Sequence, residues 1–474
     1  MTTTPTSQTC TEVLAHAEEH LDQALERVFE ILRIPSVSTD PAHDEDVLRA
    51  AEWFSKQFED IGFTARVVKT PGHPVVMAEY PAPPGAATIL YYGHYDVQPA
   101  DPIELWDTPP FEPTIVEDAN GGRIVARGAN DDKGQVMTFL EAFRAWYERT
   151  GQLPVGIKVI LEGEEESGSP SLDGFLEAHV GDLAADVCVI TDTGMWDAVT
   201  PAITTMLRGM VYSEFILTGP AMDLHSGMYG GAVRNPVNVM AAIVAAMHDT
   251  NGHITIDGFY DNIEELPTEV RADWEGLGFD EATFMDSAGL RTGDGGEHDR
   301  TMLERVWSRP TLDANGIIGG YTGEGAKTII PSEASVKISC RLVPGQDPEA
   351  IRTALETFVT RRVPEGWSLK VLNHGCNPAV VVPNDSPWLQ AARDGLAVAY
   401  EKPAVVVGCG GSIPAVGSIR ALLDIDALLV GFGLDDDLIH SPNEKYDLRC
   451  FTGGLRSQIG MLDAFSRMPA RSGE

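Results

Sequence analysis

Apolar residues recur at helical spacing over residues 11–32 (Val13, Leu14, Ala17, Leu21, Ala24, Leu25, Val28, Leu32), which predicts one helix broken by Ile34-Pro35. A second helix is predicted from about Glu45 to Asp60, stopped at Gly62. Short apolar runs then follow one another: 65–68, 75–80, 88–92, 123–126, 157–161 and 187–190 read as strands, and 135–149 as a strong helix. After about residue 386 the same alternation returns, with a helix over 388–399, a Gly-rich stretch at 408–411, a strand at 427–430 and a helix from about Thr452. Strands that alternate with helices predict an α/β domain, a sheet flanked by helices on both faces, with ligands gathered at strand ends.

Between these two parts the pattern changes. Gly209 to Leu217 alternates apolar and polar, as a half-buried strand does. Asn235-Pro236 is a good helix opening and leads an Ala/Val/Met helix to about His248. Residues 251–325 are Gly- and Asp-rich and read as irregular with weak helices. A strand over 335–343, a helix opened by Asp347-Pro348 and a strand over 368–373 complete a β-α-β-α-β order similar to a split βαβ module. The reading is a catalytic domain made of 1–205 and 386–474, with a ferredoxin-like α+β domain, 206–385, inserted in it. A chain of 474 residues is too long for one core, which agrees.

Charge narrows the function. With 34 basic and 71 acidic residues the formal net charge is −37, which argues against nucleic acid or an anionic membrane as partner. No run of about 18 apolar residues is present, and Met1 to Thr9 is Thr-rich without a signal pattern, so a cytoplasmic location is expected. None of the six cysteines forms a CxxC pair, which disfavours a thiolate zinc site or a disulfide framework.

The candidate chemistry sits where strands end. Glu164-Glu165-Glu166 follows the 157–161 run, and adjacent carboxylates at a strand end repel unless a cation lies among them. Four further residues close strands or strand-like runs: His94, Asp131, Asp192 and His440. Alone, each has an ordinary reading: a loop histidine, a helix cap, a turn aspartate, a strand end. Together, two imidazoles and three carboxylates make a donor set for two divalent ions with one carboxylate shared. A calcium-binding acidic protein would not use two histidines, because calcium prefers oxygen donors.

The motifs His94-Tyr95-Asp96-Val97-Gln98-Pro99, Arg127-Gly128-Ala129-Asn130-Asp131-Asp132-Lys133-Gly134, Glu162-Gly163-Glu164-Glu165-Glu166-Ser167-Gly168 and His440-Ser441-Pro442-Asn443-Glu444 resemble, in order, those of a di-zinc peptidase family. That family includes carnosinase, non-specific dipeptidases, aminoacylases and succinyl-diaminopimelate desuccinylase; the wording here is closest to its dipeptidase branch. The resemblance implies that Asp131 bridges two metals, zinc or else manganese or cobalt. His94 and Asp192 would complete one site, and Glu166 and His440 the other. Glu165 would be the general base toward a metal-bridging water, and Asp96 would orient His94. Glu164 is expected beside these residues or in solvent. In the inserted domain, Leu224-His225-Ser226-Gly227 resembles a lid histidine that reaches the partner's site in a homodimer and stabilises an oxyanion. Arg341, Gly411 and Ser412 would hold the substrate carboxylate, with His374 a further contact. Dipeptidases of the family usually carry Glu before the Gly-Gly pair, where this chain has Cys409. The expected activity is metal-dependent cleavage of dipeptides or dipeptide-like amides with a free C-terminal carboxylate. The alternative is N-acetyl or N-succinyl amino acid deacylation.

Overall fold

The computed structural model describes residues 6–293, 295–411 and 413–470. The chain divides into two compact units, one of residues 1–205, 382–407 and 414–474, the other of 206–381 and 408–413. The Gly-rich 408–413 loop therefore leaves the unit of its sequence neighbours, which the chain pattern did not suggest.

The first unit is the expected α/β layer. Its sheet runs Thr64–Val68, Val75–Tyr80, Gly156–Glu162, Thr88–His94, Val187–Ile190, Ala427–Leu429, Ala202–Leu207. The strands from Gly156–Glu162 to Ala427–Leu429 are parallel, and the flanking pairs are antiparallel. The parallel strands are buried almost throughout, as strands covered on both faces must be. All four end on the same side, so His94, the 163–168 loop, Thr191-Asp192 and the 430–440 segment emerge together.

The helices explain themselves locally. Lys133–Thr150 buries residues on every face of its first three turns, and Leu448–Phe465 on every face of its last two. They pack on each other and on Pro387–Leu396 and Gln8–Glu19. The single helix expected over 11–32 is two, Gln8–Glu19 and Leu21–Leu32. His20 breaks it at φ −112°, ψ 15°, and its Nδ1 bonds the His16 carbonyl at 2.8 Å. Periodicity ran through the break because both helices bury the same stripe (Val13, Ala17, Ala24, Val28).

The second unit is a four-stranded antiparallel sheet, in the order Thr311–Gly319, Glu333–Leu342, Gly209–Thr218, Ser368–Asn377. Helices Pro236–Ala245 and Pro348–Thr360 cover it, each opened by an Asn or Asp cap followed by Pro. Chain order β-α-β-β-α-β with this strand order is ferredoxin-like. The strand Thr311–Gly319 corrects the reading of 251–325 as irregular. Its exposure is high (Ile317 52%, Ile318 59%), because it is an edge strand with a bulge at Ala314/Gly316, so the alternation that marks a half-buried strand is absent. Within the same segment, Arg271, Arg300 and Arg309 meet Glu265, Glu297 and Glu304 in a network over a small apolar cluster, Val270, Trp274 and Leu303.

All six cysteines are free thiols. Among the described residues no helix is long and apolar enough to cross a membrane.

Candidate metal centre

His94 is the last residue of the strand Thr88–His94 and is wholly buried. Gly93 before it is packed so tightly that an added Cβ would lie 2.6 Å from Val136 and 2.8 Å from Asp132 Oδ2. That same Asp132 oxygen accepts the His94 N–H at 3.2 Å, which fixes the strand end. The His94 ring is held on both sides. Nδ1 lies 3.3 Å from Asp96 Oδ1, and Nε2 lies 3.0 Å from Asp131 Oδ1 and 4.0 Å from Asp192 Oδ2.

Asp131 carries the geometry. Its second oxygen, Oδ2, lies 2.9 Å from His440 Nε2, and His440 Nε2 is 3.2 Å from Glu166 Oε2. Two groups of donor atoms result, His94/Asp131/Asp192 and Asp131/Glu166/His440, each within 4.8 Å, with Asp131 common to both. The expected five residues thus come together from five separate segments. One detail differs: His440 does not end a strand. It sits in a turn at φ +61°, in the left-handed region where Leu438 and Asn443 also lie.

The 163–168 loop is set by Asp96. Its carboxylate accepts the backbone N–H of Glu165 at 3.3 Å and of Glu166 at 3.1 Å while facing the His94 ring. Gly168 closes this turn at φ +90°. Gln98 Nε2 donates to Glu166 Oε2 at 2.8 Å. Glu164, expected beside the ligands or in solvent, is buried and engaged elsewhere: its Oε1 accepts the His73 N–H at 3.0 Å.

The electrostatics fit a cation-binding site. Burial and the Asp131 charge push Asp192 up to about 8. Burial also raises Glu165, with Glu166, Asp131 and Asp96 adding to it against the pull of His94. Burial works against the charge of Asp131 too, but hydrogen bonds from His440 and His94 hold it below the usual carboxylate range. Hydrogen bonds to Asp131 and then Glu166 push His440 up to about 10. Carboxylates outnumber imidazoles, and each imidazole Nε2 is grouped with carboxylate oxygens as a donor set that could hold a divalent cation. Imidazole nitrogen with carboxylate oxygen is a donor set for zinc, manganese or cobalt.

Residues that motif reading left without a role tie these segments together. Glu444 is fully buried and accepts from Arg127 Nη1 (2.6 Å), Gly128 N (2.9 Å), Asn130 N (3.0 Å) and Asp131 N (3.1 Å). Asp437 accepts from Asn130 Nδ2 at 2.7 Å. Its place at the end of the His440-Ser441-Pro442-Asn443-Glu444 motif was the available signal, and acids in turns are common.

The remaining expected site residues lie in the second unit. His225 is exposed and precedes the short helix Ser226–Tyr229; its Nδ1 accepts the Gly227 N–H at 3.0 Å. Arg341 is on the central strand Glu333–Leu342, opposite Met210 and Thr311. His374 sits at a bulge, with its ring 5.2 Å from Tyr212 and Nε2 3.4 Å from Glu214. Gly411 donates to Cys409 Sγ at 3.4 Å, and Ser412 lies outside the described residues. A third donor group, His253, Glu297 and Asp299, already holds a cation of its own, since Arg309 grips Glu297 at 2.6 and 3.1 Å.

Comparison with known proteins agrees with this geometry. Residues 90–463 match the model of "Peptidase family M20/M25/M40". The chain is 29% identical to the Cys-Gly metallodipeptidase DUG1 of Saccharomyces cerevisiae, over 98% of this chain and 99% of that one. It is 30% identical to the Beta-Ala-His dipeptidase of Homo sapiens, over 78% of this chain and 73% of that one. The solved structure of the M20 family metallo-carboxypeptidase Sso-CP2 from Sulfolobus solfataricus superposes with a TM-score of 0.82 at 31% identity, covering 94% of this chain and 99% of that one. A matched model across most of the chain, full-length relatives near 30% identity and two donor groups sharing one aspartate lead to one conclusion: the chain belongs to peptidase family M20/M25/M40, as a metallopeptidase of its dipeptidase branch.

Proposed function

We infer that this protein hydrolyses dipeptides with a free C-terminal carboxylate, using two divalent cations held by His94, Asp192, Asp131, Glu166 and His440, with Asp131 shared. The observation that carries the reading is the placement of Asp131, one oxygen against each histidine. When bound, the cations would supply Lewis-acid polarisation of the scissile carbonyl and a lowered pKa for the attacking water. Zinc is the metal we assign.

The chain's own groups do the rest. Glu165 is adjacent to a ligand but is not one. Burial raises its carboxyl, which makes it a better proton acceptor at neutral pH, so it takes the proton of the attacking water and delivers it to the leaving amine. Asp96 orients His94 through Nδ1 and the loop of Glu165 through its N–H groups, so one carboxylate fixes the base relative to a metal ligand.

In this reading the second unit contributes binding. Arg341 and the 410–412 loop take the substrate carboxylate, with His374 beside them. His225 acts in the partner subunit of a homodimer. The Gly227 N–H occupies Nδ1, which leaves Nε2 to carry the proton and donate to an oxyanion. Exposed Met222, Met228, Tyr229, Ile317, Ile318 and Tyr321 on this unit support the dimer, as does its edge strand. The assigned location is the cytoplasm, with no nucleic acid or membrane partner.

The test is a mixed panel on metal-reconstituted protein: free dipeptides, N-acetyl and N-succinyl amino acids and cysteinylglycine conjugates, read by released amine. Turnover of free dipeptides, lost on chelation and in Glu165→Gln, is expected. Turnover of the acylated set alone would replace the reading with deacylation.

A further inference from the structure

Arg208 stands out by its partners. The chain carries 71 acidic and 34 basic residues, and its well-buried arginines sit on carboxylates: Arg127 on Glu444 at 2.6 Å, Arg309 on Glu297 at 2.6 Å. Arg208 does not. Its Nε donates to the Gly410 carbonyl at 2.8 Å, and Nη1 to the carbonyls of Arg305 and Arg309 at 3.4 Å each. Its backbone N–H takes the Gly411 carbonyl at 3.2 Å. Among the described residues no carboxylate forms an ion pair with it. Carbonyls satisfy its donors but leave its charge standing. Burial, then the nearby Arg341 guanidinium, push it down to about 10, so two like charges are held side by side. Asp313 and Cys409 offset this only in part.

The loop it grips has no room for a side chain. A Cβ on Gly410 would lie 2.8 Å from the Val306 carbonyl and 2.9 Å from Arg208 Nη2. The peptide from Gly410 to Gly411 turns its carbonyl to the guanidinium, so its N–H faces the other way, where the weak acceptor Cys409 Sγ lies at 3.4 Å. A cation on the carbonyl strengthens that N–H as a donor. Unneutralised charge, a neighbouring arginine and an outward N–H with only a thiol for partner together describe a place prepared for an anion.

We propose that Arg208 is a specificity-determining residue of the carboxylate subsite, holding Gly410 and Gly411 in place and adding the standing charge by which Arg341 and this loop select a substrate ending in an anionic carboxylate over its neutral amide. The proposal rests on the reading of Arg341 and the 410–412 loop as the carboxylate clamp. It assigns Arg208 no contact with the reacting atoms.

The test compares a dipeptide with its C-terminal amide in the full metal-loaded protein, for parent, Arg208→Met, Arg208→Lys and Arg341→Met. Where amide turnover is too slow, its inhibition constant stands in for KM. Arg208→Met is expected to raise KM for the acid about tenfold or more, with kcat within about twofold, and to leave the amide nearly unchanged, so the acid-to-amide preference falls. Arg208→Lys keeps the charge without the fork and is expected to retain an intermediate preference. An unchanged preference in Arg208→Met, whether both substrates weaken together or neither does, overturns the proposal. If Arg208→Met does not fold, Arg208→Gln and Arg208→Lys decide it by the same ratio. An Arg341→Met variant with unchanged preference instead overturns the carboxylate clamp itself. Loss of preference in Arg341→Met but not in the Arg208 variants sinks this inference alone.

Discussion

Replacing Glu444 by Gln should destabilise the first unit by about 3 kcal/mol even with no metal bound. The carboxylate accepts from Asn130 N and Asp131 N on Oε1, and from Arg127 Nη1 and Gly128 N on Oε2. A glutamine keeps the first two and presents an amide NH2 to the second two, so donors face donors. Arg127 is 1% exposed and would lose its counter-charge; breaking a buried pair from one side costs about 3–5 kcal/mol. Two features favour the low end. Arg127 keeps the Pro99 carbonyl at 3.2 Å and the Trp106 ring at 5.5 Å. Burial also pushes the Glu444 carboxyl above its ordinary range, so the native charge itself carries a desolvation cost. About 3 kcal/mol corresponds to roughly 6–12 °C in Tm. The assay is thermal unfolding in excess chelator, so that metal binding does not contribute. The control is Glu112→Gln, whose pairing with Arg33 at 3.7 Å is exposed and should be worth under about 1 kcal/mol. A Glu444→Gln protein melting within about 2 °C of the parent, or shifted no more than Glu112→Gln, would refute the reasoning.

Asp96→Asn should lower metal affinity and kcat about 10–100-fold while the protein stays folded, measured by chelator competition and steady-state kinetics, because it weakens the orientation of His94 and of the 165–166 loop. Metal uptake should release about three protons near neutral pH, seen as dependence of the calorimetric heat on buffer ionisation enthalpy. His440 (up to about 10), Asp192 (up to about 8) and His94 hold protons without metal and must lose them to bind, so affinity rises with pH; heats independent of the buffer would contradict this. Gly93→Ala should cost about 1–3 kcal/mol by overpacking against Val136 and Asp132, with activity falling further than stability because His94 moves with the strand end; a fully active, equally stable variant would count against the close packing. Dialysis against chelator should abolish peptidase activity, and zinc, manganese or cobalt should restore it.

The amino-acid sequence carried the layer structure of this protein. Runs such as Val159–Leu161 and Val187–Ile190 are apolar throughout, as strands covered on both faces are. It also carried the donor residues, since motifs such as His94-Tyr95-Asp96 are local strings. The edge strand Thr311–Gly319 was not legible, because an exposed edge needs no apolar alternation and takes its conformation from pairing with Glu333–Leu342. The break at His20 was hidden because both helices bury one stripe. The partners of Glu444 and Arg208 were hidden for a different reason. Hydrogen bonds spanning 317 and 202 residues leave no periodic trace, and an acid or an arginine in a turn looks alike whether it is solvated or buried. The meeting of His440 with Asp131, 309 residues apart, belongs to the same class. Burial patterns are written along the chain because every turn of helix or pair of strand residues repeats them. Which polar group satisfies which is decided only when the chain has closed on itself, since a buried charge takes whatever partner the packing brings within reach.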